Sequence, residues 1–152
     1  MTKLWQRIIA VAEVVGGLFA LIAIILAAKA GADKSAIVLW VGLDLFVVVA
    51  GAALWLRPKA GIVLSGIALV LQSVQVFTAW FSWQYVAGAA LLVRMIDGEM
   101  SWSGGLLVRH TFSQDSGNSR AGLGVNVTAV AALTFLVVSH QRGKSSRQRG
   151  SV

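Results

Sequence analysis

The reading of SWQYVAGAALLVRMI, residues 82–96, decides the architecture, because this stretch follows a long apolar run and precedes one of opposite character. It is too short to make a second crossing once residues 61–81 have crossed a membrane, since a hydrocarbon core about 30 Å thick takes roughly 20 helical residues. The stretch is therefore expected to prolong the preceding helix, or to lie along the outer interface with Arg94 among the headgroups. The residues that follow, DGEMSWSGGLLVRHTFSQDSGNSR (97–120), are rich in Gly, Ser and charge, as an exposed loop is. Within them SWSGGLLVRHTF has the composition of a short hairpin around Gly104-Gly105. Residues 82–120 together are expected to form a partly structured outer loop.

Around that loop the chain is strongly apolar. Of its 152 residues 57% are hydrophobic and 12% charged, with a mean hydropathy of +0.79, which is not a soluble composition. Four runs are long enough to span, about 8–28, 36–56, 61–81 and 123–139. The single proline, Pro58, falls in RPKA between the second and third, where one helix ends. The expected fold is all-α: an integral membrane bundle of four transmembrane helices over residues 1–139, with 140–152 as a disordered basic tail. The short connections KAGADKS and RPKA make the first three helices antiparallel neighbours.

The net charge of +7 is distributed as a topology signal, so no nucleic acid partner is expected. Eight Lys and Arg lie on the side of the N-terminus, the second connection and the tail, and five on the other. The positive-inside rule then puts both termini in the cytoplasm, in what the Ala/Val/Gly-rich spans suggest is a bacterial cytoplasmic membrane. Trp5, Trp40, Trp55, Trp80 and Trp83 fall at the span ends, where interfacial rings belong. An alternative is that the first span is a signal peptide cleaved near Ala28-Lys29-Ala30, but its apolar run exceeds the roughly 7 to 15 residues of such a segment. The tail is expected to adhere to anionic lipid headgroups.

Polar residues inside the spans are the candidate site. Glu13 lies about 8 Å inside the inner face, shallow enough to reach the interface or to pair with Arg7 or Arg57. Asp44 lies near the midplane, and Gln72, Gln75 and Asn126 fall in the same layer. Contact among these four is the arrangement expected to cost least in hydrocarbon. Ala12, Gly16 and Ala20 form a small-residue stripe suited to close approach by another helix, in a homo-oligomer or with a membrane protein partner.

Much chemistry is missing. The chain has no cysteine, and hence no disulfide or thiolate site. His110 and His140 are expected on opposite sides of the membrane, so they cannot share a haem, and no cofactor is expected. Asp97, Glu99, His110 and Asp115 lack metal-ligand spacing. Ser113, His110 and Asp115 have the residue types of a hydrolytic triad without a nucleophile elbow. Gly143-Lys144-Ser145 lacks the first glycine of a phosphate loop, and Asn126-Val127-Thr128 is a glycosylation sequon within a span. These absences favour a non-enzymatic accessory or scaffold protein assembled by helix packing. The alternative is a small transporter or a proton- or cation-coupled channel using Asp44. A membrane enzyme acting on a lipid or isoprenoid is a third reading.

Overall fold

The computed structural model describes residues 2–114 and 121–149, and within these the side chains of residues 2, 112–114 and 142–149 are left out. Three helices open the chain: α1 (Thr2–Lys29), α2 (Lys34–Leu56) and α3 (Pro58–Ser73). Four strands follow, β1 (Val74–Phe77), β2 (Phe81–Ile96), β3 (Glu99–Gln114) and β4 (Gly122–Asn126), and then α4 (Val127–Arg149). The fold is thus mixed α/β, four helices with a four-stranded antiparallel sheet, and not the four-helix bundle expected from the apolar runs.

The first two runs do form uninterrupted helices. Asp33 starts α2: its carboxylate accepts from the Ser35 hydroxyl and, at 3.0 Å, from the Ala36 N–H. Those bonds, the Ser35 hydroxyl first, hold the Asp33 carboxyl below its usual range. The cap is therefore intact at neutral pH and is lost as the pH falls through that lowered value. Pro58 occupies the first turn of α3, where its missing N–H costs nothing.

The third and fourth runs each divide into a longer helical part and a short strand. Residues 61–81 leave the helix at Ser73, whose hydroxyl turns back to the Leu69 carbonyl at 2.6 Å. Val74, Val76, Phe77 and Thr78 are β-branched or aromatic, a composition that suits a strand better than a helix. At the other junction β4 gives way to α4 at Asn126, whose Oδ1 accepts from the Ala129 N–H at 3.3 Å. This is a helix N-cap. Asn126→Ala is expected to lower stability by about 1 kcal/mol, read as a lower thermal midpoint in detergent; an unchanged midpoint would remove the capping role.

Residues 82–96, expected to be helical, are strand β2, and the loop after them is strand β3. The hairpin turns at Asp97-Gly98, both at positive φ (53° and 84°), rather than at Gly104-Gly105. An Asp-Gly pair is suited to the two-residue turn whose twist matches that of the strands. The turn fixes an unbroken register, from Ile96 opposite Glu99 to Phe81 opposite Gln114.

The strand order is β1-β4-β2-β3, and β1 also pairs with β2 at Val76–Trp83. With β4 joined to β1 and to the far end of β2, these three strands make a closed circuit. Between its two pairings β2 has to curve, and Gly88, at φ 112°, supplies a residue able to do so. Val86, Ala90 and Leu92 are buried together beneath Leu107. The main core lies between helices and sheet and holds Ala20, Trp40, Val47, Ala68, Tyr85 and Ala87.

The small-residue stripe on α1 is filled from within. Gly16 and Ala20 are buried, and Gly16 sits against β2, where a Cβ on it would lie 2.7 Å from the Ala87 carbonyl oxygen and 2.8 Å from Gly88 Cα. Ala12, one turn earlier, remains exposed. The close neighbour at Gly16 is therefore a strand of the same chain.

α1 and α2 are long and apolar enough to cross a membrane, and 39% and 33% of their most apolar windows are buried. They are not core helices of the usual kind, which would be mostly covered. Leu18, Phe19, Ile22 and Ile25 on α1, with Val38, Leu45 and Val49 on α2, are all exposed. Helix α4 is continuous to Arg149, so its backbone takes in most of the tail 140–152, while residues 150–152 lie outside the described ones.

Candidate functional site

Asp44 is fully buried on α2, and the partners that reach it come from the sheet. Tyr85 and His110 face each other across the β2–β3 ladder, so the Asp97-Gly98 turn delivers both rings to the same place. The Tyr85 hydroxyl donates to Asp44 Oδ1 at 2.9 Å, and His110 Nε2 lies 3.2 Å from the same oxygen. Asp44 Oδ2 has no partner among the described residues.

Aromatic rings enclose the group. Trp40, one helical turn before Asp44, stacks on Tyr85 with ring centroids 6.0 Å apart and on His110 at 5.0 Å. Trp83 tilts against both Trp40 and Tyr85 and donates its indole N–H to the Leu71 carbonyl at 3.4 Å. Asp44 is wholly buried beside this cluster of rings, while the His110 side chain keeps 10% of its surface exposed. Tyr85 is wholly buried, so its hydroxyl depends on Asp44.

The amides expected beside Asp44 are buried, as their position in the runs suggests, but serve the backbone or one another. Gln72 Oε1 accepts from the Ala87 N–H at 3.3 Å, tying α3 to β2. Gln75 Oε1 accepts from Gln84 Nε2 at 3.4 Å inside the sheet, and Asn126 caps α4. Their described bonds do not reach Asp44. Tyr85 and His110, from the stretch expected as the outer loop, take that place.

Glu13 forms a second, separate polar centre. It is 4% exposed, and its Oε2 accepts from the Ser65 hydroxyl at 2.6 Å, so it neither reaches the interface nor pairs with Arg7 or Arg57 among the described bonds. Gly51 of α2 packs on it. Since Gly17 packs near Asp44 and Gly51 near Glu13, the two acids are separated by about 10 Å along α2. Arg7 instead lies over the Trp55 ring at 5.3 Å. Arg94, expected among headgroups, is on β2 and donates to Ser103 Oγ at 3.4 Å; burial, then the nearby Arg109, lowers its affinity for its proton.

Among the described residues no group of three or more His, Cys, Asp or Glu gathers in a way that could hold a metal ion. The Ser113 side chain, Asp115 and the side chains of Gly143-Lys144-Ser145 lie outside the described residues. Comparison with known protein families, curated proteins and solved structures gives no match for this chain.

Proposed function

We infer that the chain is an integral membrane protein that exchanges a proton or cation at Asp44, a small transporter or channel rather than a scaffold. The observation that carries this reading is the Asp44–His110 pair at 3.2 Å, a buried carboxylate facing an imidazole that retains contact with the surroundings. Ionisable residues at membrane depth are costly and are functional candidates by default. Lipid against the exposed apolar faces of α1 and α2 supports the membrane part of this reading.

The sheet edge adds a physical reason for access. Among the described residues β3 pairs with β2 alone, so its outer backbone groups need a polar environment; unpaired strand edges do not face acyl chains. Water along β3 would bring an aqueous phase to the His110 side of the site. The scaffold reading is weakened at the same time, because Gly16, the centre of the stripe on which it relied, is occupied by β2.

The test is proton flux in liposomes carrying a pH-sensitive dye under an imposed potential. Wild type is expected to conduct above protein-free liposomes, and Asp44→Asn, which still offers Tyr85 an acceptor, to fall to the protein-free rate. Equal rates for wild type and empty liposomes, across imposed gradients of protons and of alkali cations, would overturn the proposal.

A further inference from the structure

The second acid stands at a cavity that the Asp44 site does not use. A space of about 430 Å³ opens between α1, α3, α4 and β2, lined by the buried Glu13 and Gln72 and by Leu69, Ala132 and Phe135. That volume lies within the roughly 300–1,000 Å³ typical of small-molecule sites. Its mouth is bordered by Trp5 and Ile8, about half exposed on the apolar flank of α1, so it opens sideways toward whatever covers that flank. At the floor Glu13 is almost completely buried. One of its oxygens is held by Ser65, and the other, Oε1, has no partner among the described residues.

A buried carboxyl oxygen with nothing to bond to is costly, and a ligand group that bonds it removes that cost. The remaining lining is hydrocarbon, so the ligand must be apolar along its body and polar at one end. We propose that this cavity binds a neutral single-chain amphiphile, a long-chain or isoprenoid alcohol, with its hydroxyl at the Glu13 carboxyl and its chain running out between Ile8 and Phe135. A hydroxyl can donate to a carboxylate and accept from a carboxylic acid, so it suits Glu13 in either state. An anionic head would meet the carboxylate's charge, and the head of a two-chain phospholipid would carry more polar groups than the floor can satisfy. This inference is independent of the Asp44 reading.

The probe is a photoreactive long-chain alcohol added to the full-length protein in phosphatidylcholine nanodiscs, with labelled residues mapped by mass spectrometry. Labelling is expected to concentrate on residues 5–13 and 129–135 and to be competed by the unlabelled alcohol. The matched long-chain carboxylate should compete roughly tenfold less well. Glu13→Gln keeps a hydrogen-bonding group and should retain labelling, whereas Glu13→Leu should reduce it by a similar factor. Because Glu13→Leu also takes from the Ser65 hydroxyl its 2.6 Å acceptor, leaving it the Ala50 carbonyl at 3.4 Å, Ala132→Phe provides a second test, filling the cavity while leaving the carboxyl in place, and it too should abolish labelling there. Labelling spread evenly over the exposed faces of α1 and α2, no competition, equal competition by the carboxylate, or unchanged labelling in Ala132→Phe would each overturn the proposal.

Discussion

Gly16→Leu should unseat α1 from the sheet and lower stability by about 3 kcal/mol, the upper part of the range for overpacking. The added Cβ would fall 2.7 Å from the Ala87 carbonyl oxygen and 2.8 Å from Gly88 Cα, and both are backbone atoms that no rotamer change can move aside. Gly88 cannot retreat either, because it holds the curve of β2 at φ 112° and its own Cα hydrogen already faces Gly16. Gly42→Leu on α2 is the matched control, since a Cβ there meets nothing within 4 Å and a better helix former replaces glycine. Thermal unfolding in detergent, followed through the core tryptophans Trp40 and Trp83, reads both variants. A Gly16→Leu protein that melts with wild type would mean that the α1–β2 contact does not hold the fold together. The experiment also separates two uses of a small-residue stripe: here stability should change in an isolated monomer, with no partner to lose.

The stripe illustrates what a sequence of this kind makes legible. Ala12, Gly16 and Ala20 announce a close approach, and Gly16 and Ala20 receive one, but spacing along one helix carries no information about whether the neighbour is a helix, a strand or another copy. α1 and α2 were readable because each is apolar over its whole length, with a break at Asp33 or Pro58 to end the ambiguity. The third and fourth runs, apolar but interrupted by Gln72, Gln75 and Asn126, gave a false answer. A continuous apolar segment reads the same as a buried helix or a buried strand, and only local chemistry distinguishes them.

That chemistry was present. β-branched and aromatic Val74, Val76 and Phe77 favour a strand, Asp97-Gly98 is a hairpin-turn pair, and Asn126 ahead of an apolar run is a helix start. Placing the turn at Asp97-Gly98 would by itself have set Tyr85 opposite His110. What no local rule could supply is the docking of that pair on Asp44, a contact between residues 41 and 66 positions apart. The burial of Asp44, Gln72, Gln75 and Asn126 followed from their position in apolar runs, but their partners depended on the sheet.

Whether Asp44 serves as structural glue or as an exchanging site can be divided by a double-mutant cycle with Tyr85. Asp44→Leu should cost about 1–3 kcal/mol, because it leaves the fully buried Tyr85 hydroxyl without an acceptor. Tyr85→Phe alone should cost less, since Asp44 Oδ1 keeps His110 at 3.2 Å. The double variant has no stranded hydroxyl, so its loss should be smaller than the sum of the two by roughly 0.5–3 kcal/mol, the range found for residues in direct contact. Additive losses would mean that the 2.9 Å bond contributes nothing to the fold. Asp44→Asn then isolates function, because its amide oxygen can still accept from Tyr85 and stability should stay close to wild type. Under the exchange reading that variant is folded and inactive in liposomes. If it is folded and as active as wild type, the carboxylate is needed only to seat the hairpin on α2, and the ionisable chemistry of the molecule lies elsewhere.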